Sequence, residues 1–600
     1  MSGQKLRSEI DKKYKWKIDL IYSSDELWEK DCESLISKID VLKTFQGNLN
    51  NSACLKEYLI ENERLNRQCG KLYMYAALKN HEDMAETKYQ NMLSKIEDIS
   101  NKISEYTSYF SPEILGYDEE FIFNMISSNE ELKKYEFFMK NIFKKKNHIL
   151  SKDEENILSI ISDSFKTSEN IYEVFTNADM TFGKIIDENK KEVELTNANY
   201  SEYIESYDRD VRKSSFKQML DAYKRYQNMF AVAYISDVKN FANLSKIRKF
   251  DNSLEYCMNS HNIPTSVYHT TVDTIKDNLP LLHRYVKMKR DMLGLDEMHM
   301  YDMYVPMIKE GNVKTYSIEE AIDVVKESLS PLGKEYVDIV SNGIDNGWID
   351  FCPNKGKMSG AYSWGTYDTM PYILLNYNGK LDDVSTLAHE LGHSMHSYYS
   401  GKNQDYIYSG YTIFSAEIAS TVNEMILADA LMKKATTKEE QLMLINHELE
   451  MIRSTVFRQG MFADFERIVH RKVNDGEQLS YKELKEIYHS LQVEYFGKDM
   501  IVDDEIDMEW ARIPHFYSSF YVYQYATGYS AASLFKKSIL DGEDGALDRY
   551  VGFLKSGGNG YTIDILKKAG VDMTTSEPVQ SVMDRFEYLI NEFERLVNEK

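Results

Sequence analysis

The chain has no run of the roughly 18 consecutive apolar residues that a membrane span needs, so no transmembrane helix is expected. Cysteine is scarce. Cys32, Cys54, Cys69, Cys257 and Cys352 are odd in number and lack metal-ligand spacing, which argues against a disulfide framework and for reduced thiols. The opening residues, Met1 to Glu9, lack the apolar core of a secretory signal, and the expected location is cytoplasmic. Positive charge is in deficit: 96 acidic against 72 basic residues give a net charge of −24, which opposes nucleic acid and anionic membrane as partners. The basic clusters at 144–146 and 246–249 are too short to reverse that. The glycines of Ser556–Gly560 have no following Lys-Ser or Lys-Thr, so they read as a turn and not as a phosphate loop.

With only 9 prolines and 28 glycines among 600 residues, long helices are free to form. Apolar residues recur at three and four, as in Leu35, Ile39, Leu42 and Phe45, the spacing of one helical face. Capping boxes pair Ser151 with Glu154, Ser317 with Glu320 and Ser480 with Glu483. Strands are few. The segments 181–186 and 192–196 flank polar residues as in a hairpin. The segment 372–377 reads as a strand, and Pro371 at its start suits a sheet edge to which a peptide could add. The expected class is mainly α, with a soft boundary near residue 200 dividing 1–200 from 201–600.

The chemistry is concentrated in Thr386-Leu-Ala-His389-Glu390-Leu-Gly-His393-Ser-Met-His396. In H-E-x-x-H the two histidines project from one helical face, able to hold one Zn²⁺, and the glutamate between them can act as general base on water. A metzincin would need histidine where this chain has Tyr399. The third ligand is therefore expected to be a carboxylate on a following helix, and Glu417 supplies one, with Glu424 on the same face as a rival. Asp382 and Asp383 mark the start of the signature helix, Gly401 a plausible stop, and His396 a position behind the site.

Around that core, Ser359-Gly360-Ala361-Tyr362, Met370-Pro371-Tyr372-Ile373-Leu374-Leu375-Asn376-Tyr377, Phe414-Ser415-Ala416-Glu417 through Asn423-Glu424, Ile513-Pro514-His515-Phe516-Tyr517 through Gly528, and Leu554-Lys555-Ser556-Gly557-Gly558 through Ala569-Gly570-Val571-Asp572 resemble the oligoendopeptidase F family of zinc metallopeptidases, relatives of thimet oligopeptidase. The resemblance runs along nearly the whole chain and is weakest in the first hundred residues. It implies two helical lobes enclosing a deep substrate channel, with a small β-sheet beside the zinc helix. It also implies His389, His393 and Glu417 as ligands of one zinc, Glu390 as general base and acid, and short unstructured peptides as substrates. Glu424 would then orient a ligand histidine. His515 and Tyr523 would donate to the oxyanion of the tetrahedral intermediate. The chain departs from thimet-like relatives in the shortened Phe516-Tyr517-Ser518-Ser519 stretch and in Phe520, where they carry a second tyrosine; Tyr517 and Tyr521 are candidates to replace it. The four-residue stripe Tyr517, Tyr521, Tyr525 and Tyr529 has core packing as its simpler explanation.

Two rival readings stand beside an endopeptidase. An exopeptidase would need a terminus-capturing group: no G-x-M-E-N segment is present for an amino terminus, and Arg512 or Arg453 is the available cation for a carboxylate. A non-catalytic peptide binder would need to have lost the signature residues, which this chain retains.

Overall fold

The structure is a computed structural model describing residues 5–309 and 314–599. It is mainly α, with three small sheets among the described residues. Strands β1 (Lys184–Ile186) and β2 (Glu192–Glu194) form the expected antiparallel hairpin. Strands β3 (Met298–His299) and β7 (Met500–Ile501) pair in parallel. Strands β4 (Ile349–Asp350), β5 (Tyr362–Trp364) and β6 (Tyr372–Leu374) make one sheet in the order β4-β6-β5. All three expected capping boxes form; Ser317 and Ser480 each accept the backbone N–H of, or next to, the helix they start, while Glu320 and Glu483 bond back. No described helix is long and apolar enough to cross a membrane.

Contacts divide the chain into two compact units, each assembled from three stretches: Met1–Asn147, Asn312–Ala430 and Phe535–Gly570 in the first, His148–Gly311, Leu431–Leu534 and Val571–Lys600 in the second. Residue 200, where the end of the hairpin and the turn-forming residues 197–201 suggested a soft boundary, lies inside one stretch of the second unit. Units built from interleaved stretches leave no linker composition to read.

In the first unit the helices Ser52–Glu82 and Thr87–Thr107 pack along each other over a core that holds Trp28, whose indole donates to the Leu72 carbonyl at 2.9 Å. Tyr372 and Leu374 of β6 belong to the same apolar cluster, so the sheet is anchored in the helical core. The β4 end is fixed by charge. Asp350 accepts from Arg7 (2.8 Å) and Lys357 (2.6 Å), and Lys357 also donates to the Leu375 carbonyl at 2.6 Å, tying β4 to the end of β6. The strand after Pro371 is therefore central: β6 pairs with β4 on one side and β5 on the other. This corrects the expectation of an edge there, because proline at 371 precedes the paired residues and removes no ladder bond. The edges of this sheet are β4 and β5.

The signature helix spans Leu381–Asn403, through Gly401, which has ordinary helical geometry and does not stop it. Asp383 caps its start by accepting the Lys380 N–H at 2.8 Å and the Asn378 N–H at 3.0 Å, with its charge at the positive end of the helix dipole. The return helix spans Ile413–Lys434. The two helices meet at Gly392, where a Cβ would lie 2.6 Å from the Ala419 carbonyl oxygen and 2.6 Å from Ser420 Cα.

In the second unit the helices Arg209–Lys224, Leu279–Met292 and Lys438–Ile452 carry buried ion pairs, Arg212 with Asp302 (2.7 Å) and Lys289 with Glu450 (2.6 Å).

Candidate active site

The Gly392 contact sets how the return helix faces the signature helix. Asn423, fully buried, donates to the Ala388 carbonyl at 3.0 Å and accepts the Tyr336 hydroxyl at 3.0 Å, locking the register between them. That register brings Glu417 to the histidines. His389 Nε2 lies 3.1 Å from His393 Nε2 and 3.8 Å from a Glu417 oxygen, and His393 Nε2 lies 4.0 Å from the other. One ligand atom from each residue fits within 4.8 Å of the others. A tetrahedral ion with bonds of roughly 2.0–2.1 Å spaces its ligand atoms roughly 3.3 Å apart, so these separations suit one ion.

Without an ion in place, the electrostatics divide the two histidines. Burial and the neighbouring His389 push His393 down to about 3, which keeps its imidazole neutral, the form that ligates. Burial opposes charge on His389, but Glu424, Glu390 and Glu417 outweigh it and raise the group to about 9. Glu424 faces His389 Nδ1 at 3.4 Å and is about three-quarters buried, so it is placed to orient that ring. Burial raises Glu390 to about 7; His389 opposes the shift, and Glu417 and Glu424 reinforce it. Glu390 is 6% exposed, and its Oε2 has no hydrogen-bond partner among the described residues. A buried oxygen left unpaired beside two imidazoles and a carboxylate fits a group that works on a bound metal and its water, which complete the set. His396 is buried with its ring stacked on Tyr411 at 3.6 Å, a packing role.

Strand β5 runs beside the signature helix, where the Ser363 and Ser394 hydroxyls bond at 2.8 Å and the Ser363 backbone faces Glu390. A cavity of about 1040 Å³ is lined by His393, Ala416 and Tyr411 and continues past Ser363 and Trp364 to Arg67. Arg67 is held by Asp368 at 2.5 Å.

His515 and Tyr523 belong to the second unit. His515 is exposed, with the Tyr525 hydroxyl 3.4 Å from its Nε2 and the Tyr521 ring parallel to it at 6.1 Å. Burial, then Arg458, lowers its proton affinity. Tyr523 is 2% exposed, its ring 5.1 Å from Tyr268, and burial raises its hydroxyl far above the usual range. The structure thus gathers His515, Tyr521 and Tyr525 together and places Tyr523 in the core beneath them. Tyr517 packs on Tyr172 at 4.7 Å, and Tyr529 is buried. Between His515 and these tyrosines the chain makes a tight turn: the Tyr521 N–H donates to the Ser518 carbonyl at 3.0 Å, and Phe520 takes φ +59°, where glycine is usual. Glu466, fully buried, holds that turn by accepting the Phe520 N–H at 2.8 Å.

Sequence reasoning did not find Asn423, Ser363 or Glu466. Asn423 and Glu466 left a faint mark, each a polar residue at an otherwise apolar helical position. Ser363 left none, since its role comes from strand placement.

A His-His-Glu set able to hold a metal ion, carried on paired helices beside a buried glutamate, is the arrangement of a metallopeptidase, a hydrolase of peptide bonds. Two family descriptions match the chain: Peptidase family M3 over residues 202–585 and Oligopeptidase F over residues 113–182. The chain is 41% identical over 592 residues to Oligopeptidase PepF of Bacillus subtilis, covering 98% of this chain and 88% of that one. It is 37% identical to Group B oligopeptidase PepB of Streptococcus agalactiae, covering 98% of each. Among solved structures it resembles a peptidase from Chlamydophila abortus (TM-score 0.94, 37% identity, 99% and 100% covered) and oligoendopeptidase-F from Enterococcus faecium (TM-score 0.74, 32% identity, 96% and 100% covered). The chain belongs to peptidase family M3.

Proposed function

We propose that the chain is a cytoplasmic zinc endopeptidase that cuts internal bonds of short unstructured peptides. The observation that carries this reading is the convergence of His389, His393 and Glu417 beside the unpartnered Oε2 of Glu390. The three ligands would hold one zinc per chain, which when bound polarises the peptide carbonyl and makes water acidic enough to attack near neutral pH. Glu390, raised to about 7, accepts the proton of the attacking water and returns it to the leaving amine, since a group half-ionised near neutrality serves in both directions. Glu424 keeps the His389 ring in one orientation.

The β5 edge offers the substrate backbone N–H and C=O groups, which read no particular side chain, so preference among sequences is broad. His515 donates to the oxyanion, with Tyr523 as its sequence-derived companion and Tyr521 and Tyr525 as the hydroxyls beside it. Substitution of each tyrosine by phenylalanine separates them: the one whose loss lowers kcat without raising KM is the donor.

The test is mass spectrometry of one short peptide incubated with the full chain, with and without a zinc chelator, beside the same sequence inside a folded protein. Chelator-sensitive internal cuts in the free peptide alone are expected. Stepwise removal from one end identifies an exopeptidase instead, and zinc binding without cleavage identifies a binding protein.

A further inference from the structure

The cavity beside the metal cluster reaches well beyond the cluster itself. It holds about 1040 Å³, the upper end of the range for a small-ligand pocket and more than one amino-acid side chain fills. Every residue lining it belongs to the first unit, as do His389, His393 and Glu417. Along the signature helix its wall runs from His393 through Ser397 to Gly401, positions four apart on one face. Eight residues of helix put Gly401 about 12 Å from His393.

Two places in this wall are glycine where the fold does not ask for it. Gly401 and Gly70 lie inside the helices Leu381–Asn403 and Ser52–Glu82, and glycine there weakens a helix relative to alanine. Neither takes a positive φ. A Cβ on Gly401 would meet nothing within 4 Å, and one on Gly70 only the Thr366 methyl at 3.8 Å, an ordinary contact. Helical glycines such as Gly392 and Gly460 differ: a Cβ would lie 2.6 Å from the Ala419 carbonyl oxygen in the first and from Ile275 Cδ1 in the second. Close packing accounts for those two. What glycine gives at 401 and 70 is open volume.

The rest of the lining is rich in rings. Tyr367 meets Tyr406 edge-on at 5.6 Å, and Trp348 lies 6.1 Å from Tyr398. The Arg67 charge is matched by Asp368 through two hydrogen bonds, at 2.9 and 2.5 Å, and sits over the Tyr367 ring at 4.7 Å. Lys402 is exposed, with its ammonium over the Tyr398 ring at 5.8 Å. Such walls suit a flat apolar ring, which gains from offset and edge-to-face contact. An extended peptide covers about 3.3 Å per residue, so a bond cut at the cluster leaves a residue about three or four positions away level with Gly401.

We propose that this cavity takes an aromatic side chain of the peptide about three or four residues from the cut, and that Gly401 and Gly70 determine this specificity by keeping its room. The proposal rests on the peptidase reading of the cluster. It adds one side-chain preference to the backbone contacts of β5, which read none.

The test uses binding, so that it stands apart from turnover. The full-length, zinc-loaded Glu390→Gln protein is titrated into labelled peptides of one sequence, with phenylalanine, alanine or glutamate walked through its positions. The bond cut in the same sequence by the wild-type protein fixes the numbering. At a position three or four residues from that bond, phenylalanine should bind about tenfold more tightly than alanine, and glutamate no more tightly than alanine. Gly401→Leu should bring the phenylalanine-to-alanine ratio to about one. Gly401→Ala should keep most of the ratio and raise the melting temperature, because alanine strengthens the helix and leaves most of the volume. Gly70→Leu fills the cavity from a different helix and decides the matter should Gly401→Leu fail to fold. Equal affinity throughout, a gain confined to the residues that flank the cut, a gain for glutamate, or a ratio that survives both fillings overturns the proposal. Lack of wild-type cleavage would count against the peptidase reading, while the ratio and its loss in Gly401→Leu are still read by binding.

Discussion

The signature-helix pair and the His515 segment carry comparable numbers of chemically capable side chains, but they are built differently. In the first, the candidate ligands come from two consecutive helices whose approach is set by Gly392 and locked by Asn423. Among the described residues Glu390 keeps one buried oxygen without a hydrogen-bond partner, as does Glu466 in the second region. In the second, an exposed histidine sits in the short helical turn Pro514–Tyr517, and the tyrosines beyond it hang on a strained bend held by one buried carboxyl, Glu466. A regular helix fixes side-chain direction from spacing alone. A bend with φ +59° at phenylalanine does not, and the tyrosine facing His515 cannot be counted off from it.

The sharpest break of this comparison is Glu390→Gln. It should lower kcat by about 10²–10⁴-fold while zinc content stays at one per chain, measured by turnover and metal analysis together. Next, Glu424→Ala should weaken zinc affinity about 10–100-fold by freeing the His389 ring, read by competition with a chelating dye. On the other side, Glu466→Leu leaves the Phe520 N–H buried and unpaired, a cost of about 1–3 kcal/mol, whereas Glu466→Gln keeps an acceptor and should restore most of it in thermal unfolding. Burial pushes the Glu466 carboxyl well above the usual carboxylate range, and glutamine keeps an oxygen that can accept the Phe520 N–H.

A further effect is a pH dependence. Burial, with Glu169, raises Asp237 from 3.8 to about 7. The folded state therefore binds this proton more tightly than the unfolded chain. Its stabilisation is complete below the unfolded value and is lost as pH rises through about 7. Asp237→Asn should accordingly raise the melting temperature at pH 8 and change it little below pH ~4.

Much of the first region was legible in the sequence because its information is local. H-E-x-x-H fixes two imidazoles on one face, and the absence of histidine at Tyr399 directs attention to Glu417. The strand after Pro371 was visible too, but not its neighbours: β4 lies more than twenty residues earlier, and nothing in 372–374 says that both sides are paired. The resemblance placed His515 and Tyr523, yet the burial of Tyr523 against Tyr268 depends on a helix about 250 residues away in the chain. The two interleaved units were invisible for the same reason, since contacts between distant stretches leave no mark in composition.

The most direct test of the central claim is X-ray absorption at the zinc edge of the purified full chain, alone and with Glu417→Ala. The account predicts one zinc with two imidazole nitrogens and a carboxylate oxygen at roughly 2.0–2.2 Å, and loss of that oxygen together with most of the metal in the variant. An unchanged zinc environment in Glu417→Ala, or peptide cleavage by metal-free protein, would contradict it.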